Sequence, residues 1–365
     1  MRIKMADPIL TDASKARVME CLDRNWISTG PVVEEFESIL ADYCGVEHCV
    51  AMNNGTSTLH AMLLALGVGP GDEVVIPDIT YISTLSVVLH VGARPVIVDT
   101  DPHTFNVTPD AIASGISDST KAIITVDMKG MPVDFDGIKE VCEQRNILFL
   151  SDSAESLGAS YKNKKVGGQA LAHSFSFFAN KNLTTGEGGC VTTNSGELAN
   201  ELRCIRNQGQ SSRYIHARLG HNFRFNDVLA SIGIDQVSSL DETLRSKERI
   251  ALIYNDHINN GLNESIVKTP FIPDYVSQHS WYNYCLKYDS AGACQKVKNA
   301  LTERNIEWRV SFPPLTSQPL LNSYDFRVLA NTVQSSSLYE SMLDIPCHSG
   351  LSTADINEIV SLCLI

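Results

Sequence analysis

Between residues 48 and 152, short runs of β-branched and apolar residues alternate with stretches of helical periodicity. H-C-V-A-M (48–52) precedes T-L-H-A-M-L-L-A-L (58–66), and E-V-V-I-P (73–77) precedes Y-I-S-T-L-S-V-V-L (81–89). P-V-I-V-D is followed by D-A-I-A-S-G-I, A-I-I-T-V by D-G-I-K-E-V-C, and I-L-F-L-S-D closes the series at Asp152. The rhythm predicts an α/β fold, a mostly parallel sheet with helices on both faces. The strand runs are continuously apolar, as strands buried on both faces should be. Ligands of such a sheet sit at the carboxyl ends of its strands.

Outside this core the pattern predicts helices over Ala13–Leu22 and Val32–Tyr43, separated by a turn at W-I-S-T-G-P. Further helices are expected over Gly196–Arg206 and, as one long stretch, Asn226–His257. Beyond it N-N-G-L-N-E-S and T-P-F-I-P-D read as linker or loops before a smaller mixed α/β segment. The expected division is a large unit, 1–245, and a small C-terminal unit, 246–365, with the boundary in the region 240–260.

Composition narrows the choice of partners. The chain has 365 residues, 43% hydrophobic and 19% charged, with a net charge of -13. It has no run of lysines or arginines, so nucleic acid and anionic membranes are not expected partners, and an anionic ligand must be gripped locally. No apolar run reaches the length of a membrane span, and M-R-I-K-M-A-D-P lacks the apolar stretch of a signal peptide. A cytoplasmic location is expected. Ten cysteines are scattered without a C-x-x-C pair and read as small core hydrophobes in a reducing compartment.

The chemistry gathers at the strand ends. S-F-S-F-F-A-N-K-N-L-T-T-G-E-G-G (174–189) holds Lys181 between a strand and a glycine-rich loop. Desolvation there would lower an amine from its usual pKa of about 10.4 toward neutrality. Two readings fit: an amine that forms an imine with pyridoxal phosphate (PLP), or a solvated lysine beside a turn. N-N-G-T-S-T places Gly55, Thr56 and Ser57 at a helix N-terminus, which suits either an anion seat for one phosphate or a plain cap. Tyr81 lies at a strand-to-helix junction, free to cover a flat cofactor or to enter the core. Asp152 ends the fifth strand; a carboxylate so close to apolar residues is costly unless paired. A protonated pyridine nitrogen would pair it, and an N-cap role is the competitor. Glu155 falls on the same side if a helical turn begins there.

Taken in order, these residues carry a resemblance. With W-I-S-T-G, D-E-V-V-I-P-D-I-T-Y-I-S-T, G-A-R-P-V-I-V-D-T-D, S-D-S-A-E-S-L-G-A, G-H-N-F-R-F-N-D and S-F-P-P-L, the chain resembles the PLP-dependent sugar aminotransferases of the DegT/DnrJ/StrS family, a branch of the fold-type-I aspartate aminotransferase superfamily, and within it the perosamine-synthase group. The resemblance implies that Lys181 forms the imine and shuttles the proton. It implies that Asp152 keeps the pyridine nitrogen protonated and that Tyr81 stacks on the ring. Gly55, Thr56 and Ser176 would hold the phosphate, with Glu155 near the ring hydroxyl. Asn222 would reach the phosphate of the neighbouring subunit of a homodimer with shared active sites. Ser28, Arg224 and Arg309 would touch substrate. The implied reaction takes the amino group of L-glutamate to a keto-sugar, a nucleotide-linked keto-deoxyhexose for cell-surface polysaccharide or lipopolysaccharide. A free keto-sugar acid of the octulosonate type is the alternative.

Two departures bear on the substrate. V-D-M-K-G sets Asp127 and Lys129 where many relatives have a histidine and an aromatic, and P-P-L-T sets Thr316 in place of a histidine. Both are expected near the substrate side. A dehydratase of the same family would carry histidine at Lys181, so that reading is disfavoured. G-V-G-P-G-D (67–72) follows a helix and precedes a strand, the reverse of a dinucleotide fingerprint. His216 and His221 have poor metal-ligand spacing, and no metal is expected.

Overall fold

The computed structural model describes residues 1–260, 266–329 and 333–365. Residues 261–265, within the linker expected from N-N-G-L-N-E-S, lie outside the described residues. Eight strands form the main sheet, in the spatial order 48–52, 189–193, 172–176, 148–152, 120–126, 73–77, 94–98 and 327–328. Gly189–Thr193 is antiparallel to the strands on either side of it, and every other pairing in this sheet is parallel. The eighth strand, Arg327–Val328, returns from the C-terminal segment to pair in parallel with Val96 and Ile97. Two residues are too short to register as a periodic run, and the sequence pattern did not foresee this strand.

Strand alternation divides the core between the two faces of the sheet. Val75 and Phe175 point to a layer with Phe36, Phe135, Leu240 and Leu244. Val74, Ile76 and Ala172 point to the opposite layer with Leu59, Met62, Val88 and Leu202. Covering both faces accounts for the continuous apolar runs. The helices begin where a polar side chain accepts an otherwise orphaned N–H: Asn54 from Ser57, Asp134 from Gly137 and Asn226 from Leu229.

Helix Asp227–Asn259 has 33 residues, a length of about 50 Å. Leu240 and Leu244 belong to the sheet core, whereas Ile250, Tyr254 and Ile258 belong to a third core with Tyr284, Leu286, Ile356 and Ile359. The expected division at residue 245 therefore falls inside one continuous helix. A three-stranded antiparallel sheet, Val267–Lys268, Tyr284–Tyr288 and Met342–Ile345, backs this third core. Ile3 also packs there, bridging Ile306, so the first residues of the chain close onto its last third.

Candidate active site

A cavity of about 630 Å³ opens at the carboxyl ends of the parallel strands. Among the residues named from the sequence, Gly55, Thr56, Ser57, Tyr81, Asp152, Glu155, Ser176 and Lys181 all line it.

The floor of one end is the N-terminus of helix Gly55–Ala65. The Ser57 N–H is taken by the Asn54 side chain at 2.8 Å, so its backbone serves the cap. The first N–H groups of the helix, those of Gly55 and Thr56, have no intrahelical partner and face the anion-favouring end of the dipole. A Cβ at Gly55 would lie 3.0 Å from the Ser176 Cβ, so glycine keeps the two loops in close approach. The Thr56 and Ser83 hydroxyls meet at 2.6 Å and join this floor to the next loop. Ser83 was not singled out from the sequence, although it stands two residues after Tyr81 in the same motif.

Asp152 is buried at the end of its strand. Its Oδ2 accepts from Thr84 at 2.9 Å and its Oδ1 from the Ala154 N–H at 3.2 Å. Burial is the largest influence on its carboxyl and pushes the pKa up to about 6, against the hydrogen bonds and the Lys181 ammonium. The Ala154 bond is a local turn bond with no helix behind it, and a carboxyl raised by burial is one that a cationic partner would return to the ionised form. Glu155 is buried beside it, with Oε2 accepting from the Lys129 N–H at 2.7 Å.

Lys181 leaves the strand Ala172–Ser176 through a turn in which its N–H donates to Phe178 O. Its Nζ lies 3.9 Å from Glu155 Oε1 and 4.1 Å from the centre of the Tyr282 ring. The expectation that burial alone would lower this amine is corrected. Desolvation is the largest influence and does lower it, but Tyr282, Glu155 and Asp152 together outweigh it and raise the pKa above the ordinary lysine value. The sequence showed the burial and both carboxylates, but not the approach of Tyr282, the largest of the raising influences.

The remaining walls were not read from the sequence. Tyr282 and Phe312 come from the C-terminal third, and the Phe312 ring sits 5.5 Å from that of Tyr81, which is 55% exposed. His60, His90 and Phe223 form another wall; the His60 ring lies 5.6 Å from that of His90 and 5.9 Å from that of Phe223. Burial, with His221 and His90 adding to it, lowers His60 to about 4, so it is neutral at physiological pH. Clusters of aromatic residues, as in H-S-W-Y-N-Y, were the available signal.

Four candidates stand apart from the cavity of this chain. Ser28 and Asn222 are exposed, Arg224 donates to Asn207 Oδ1 at 2.9 Å, and Arg309 pairs with Glu307 at 3.3 Å. The expectation that Asp127, Lys129 and Thr316 lie on the substrate side is also corrected. Asp127 is fully buried behind the strand ends, accepting from Ser153, Ser156 and the Val133 N–H, and burial raises it to about 7. Lys129 is buried against Asp344 at 2.5 Å, and Thr316 binds the Asp78 carboxylate through its N–H and its hydroxyl. None of the three lines the cavity.

An anion seat, a buried carboxylate and a lysine at the strand ends of a mostly parallel sheet are the arrangement of a PLP-dependent aminotransferase. Residues 8–363 match the model of the DegT/DnrJ/EryC1/StrS aminotransferase family, and the chain belongs to that family. It is 38% identical to the GDP-perosamine synthase of Caulobacter vibrioides, over 99% of this chain and 97% of that one. It is 34% identical to the UDP-2-acetamido-2-deoxy-3-oxo-D-glucuronate aminotransferase of Pseudomonas aeruginosa, over 96% of this chain and 95% of that one. The fold superposes with a TM-score of 0.92 on a Streptococcus pneumoniae protein described as a sugar aminotransferase and solved in its PMP form, at 28% identity over 99% of this chain and 96% of that one.

The cofactor is pyridoxal phosphate, and the donor set fits it. The helix N-terminus with Thr56 and Ser176 suits a phosphate, and the close Gly55–Ser176 approach leaves the backbone accessible. Asp152, buried with its pKa raised, suits a protonated ring nitrogen, which would return it to the ionised form. When bound, PLP supplies an electron sink for the substrate carbon. What the chain supplies is position: an amine near two carboxylates and an exposed aromatic at 81.

Proposed function

We propose that this sugar aminotransferase moves the amino group of L-glutamate to the ketone of a nucleotide-linked keto-deoxyhexose, yielding 2-oxoglutarate and an amino-sugar for cell-surface polysaccharide or lipopolysaccharide. The observation that carries the reading is the cavity's charge. Among the described residues Lys181 is the only lysine or arginine that lines it, against the carboxyls of Asp152, Glu155 and Glu187, and the rest of the wall is aromatic, hydroxyl, amide, imidazole or aliphatic. Such a cavity suits a neutral keto-sugar ring, with the anionic diphosphate held beyond it. Two relatives act on sugars named as GDP- or UDP-linked. A free keto-sugar acid would place its carboxylate within reach of the ring site, where Asp152 and Glu155 disfavour it. Asp127, Lys129 and Thr316 are outside the cavity and supply no argument for that substrate.

Within the proposed site Lys181 holds the cofactor and carries the proton at Nζ, Asp152 faces the ring nitrogen, Tyr81 covers the ring, and Gly55, Thr56 and Ser176 hold the phosphate. Asn222 is proposed to complete the phosphate site of the second subunit of a homodimer, and Ser28, Arg224 and Arg309 to approach the substrate from outside the cavity. The exposed position of Asn222 suits that role. The test is 2-oxoglutarate release from L-glutamate with GDP- and UDP-linked 3-keto and 4-keto sugars. Turnover confined to a free keto-sugar acid would overturn the proposal. Mixing Lys181→Ala and Asn222→Ala protomers should create one intact site per mixed dimer; no activity above the two parents would sink the shared-site arrangement.

A further inference from the structure

A buried lysine binds the residue that follows Lys181 in the chain. Lys247, midway along helix Asp227–Asn259, is 7% exposed and is paired with no carboxylate among the described residues. Its Nζ donates to Asn182 Oδ1 at 2.7 Å, to Trp281 O at 2.9 Å and to Tyr282 O at 3.3 Å. Its titratable neighbours are Cys347, His348 and His279. Burial pushes the Cys347 thiol up to about 11 and both imidazoles down, so none carries charge at neutral pH. Burial likewise lowers Lys247, to about 8.

A buried ammonium with carbonyl partners only is a costly way to fill space; a methionine of similar length would avoid the desolvation. The charge supplies direction. Its three donors tie together the two segments that meet at the Lys181 amine: Asn182 follows Lys181 in the chain, and Tyr282 presents the ring 4.1 Å from Lys181 Nζ. The second segment needs holding, because Trp281 has φ +49°, a left-handed conformation that a bulky residue rarely adopts. Neighbouring bonds pin the same bend. Ser280 N–H donates to Gly130 O and its hydroxyl to Glu155 O, while Asn182 Nδ2 donates to Ser280 O at 2.7 Å. A side chain at Gly130 would meet the Ser280 hydroxyl at 1.9 Å, so this docking is close.

We propose that Lys247 is a positioning residue for the amination, clamping Asn182 and the 281–282 backbone so that the Lys181 amine is held against the Tyr282 ring. The proposal rests on the assignment of Lys181 as the amine that holds PLP. It predicts that Lys247→Met, in the full-length PLP-bound protein, keeps its far-UV circular dichroism but loses about tenfold or more in kcat, with KM for the keto-sugar changed by less than about threefold. The pH midpoint of the visible cofactor band should move by about half a unit or more, because the Lys181 surroundings change. Lys247→Arg should recover part of both effects. A lower melting temperature with unchanged kcat and an unmoved spectral midpoint would reduce Lys247 to a strut and overturn the proposal. Should Lys247→Met fail to fold, Asn182→Ala cuts one arm of the clamp from the loop side; an unmoved midpoint there overturns it equally. Borohydride reduction and peptide mapping of the wild type separate the two levels. PLP fixed on another lysine sinks the Lys181 assignment and this proposal with it, whereas PLP on Lys181 with an unaltered Lys247→Met spectrum sinks the clamp alone.

Discussion

The two sides of the cavity are built on different principles. The strand-end side consists of loops held by main-chain ladders and caps, and its polar groups answer one another over short distances: Asp152 to Thr84, Thr56 to Ser83, Gly55 against Ser176. The opposite side, Tyr282 and Phe312, is donated by a segment about a hundred residues further along the chain, and it is held by buried lysines. Lys129 grips Asp344, and Lys247 grips the 281–282 backbone. In the proposed function the first side serves the cofactor and the second shapes what may enter; Tyr282 of the second side lies 4.1 Å from the Lys181 amine.

Removing the amine breaks this division most sharply. Lys181→Ala should retain its fold, because the side chain lines the cavity and belongs to none of the apolar cores, yet turnover should fall to background; measurable multiple turnover in the glutamate assay would contradict the arrangement. Asp152→Asn comes next. We expect a loss of about 100-fold in kcat, since an amide cannot stabilise a pyridinium charge. Cofactor-free Asp152→Asn should melt at or above the wild-type temperature, because the substitution removes a buried carboxylate. Loss of stability without loss of kcat would show that Asp152 only caps the turn.

On the opposite side, Phe312→Ala should raise KM for the keto-sugar by about tenfold while changing kcat little, the signature of binding shared by ground and transition states. A fall in kcat instead would mean that this wall also orders the chemistry.

The smallest effect is on stability. Asp127 and Asp152 are raised to about 7 and about 6 in the folded chain, from about 3.9 in an unfolded one. Between those values both carboxyls bind more protons in the native state than in the unfolded one, so their own share of the stability of cofactor-free protein should fall as pH rises from about 4 to about 7, against the opposite slope of the buried histidines His60, His173 and His279. The melting temperature of the wild type minus that of Asp127→Asn should therefore fall across the range. A difference that rises with pH would mean that the hydrogen bonds of Asp127 outweigh its burial.

The same contrast explains what was legible in the sequence. The strand-end side could be read because each of its residues follows an apolar run within a few positions, so strand periodicity locates Asp152 and the strand before Lys181, and the glycine-rich loop marks the turn. Gly55–Ala65 announces itself by N-N-G-T-S-T before a helical pattern. The opposite wall could not be read in this way. Nothing local ties Tyr282 to Lys181 or Thr316 to Asp78, and the left-handed backbone at Trp281 contradicts the preference of its own side chain. The sign of the Lys181 shift failed for the same reason: burial is local and was foreseen, but Tyr282 arrives from a distant segment. The misplacement of Asp127 and Lys129 came from treating a departure in a motif as a departure in the cavity, when both side chains turn away into the protein.

Arg327–Val328 closes the edge of the main sheet against a strand laid down more than two hundred residues earlier. A pairing of such sequence separation is slow to find and is made late. During synthesis the strand Arg94–Val98 leaves the ribosome long before its partner exists, and an uncovered edge invites pairing with other chains. Its charges temper that hazard: Arg94 stands at the strand's first position beside Glu73, and Arg327 later reaches the same carboxylate at 2.9 Å. One glutamate therefore guards the open edge in the nascent chain and receives the arginine of the strand that seals it.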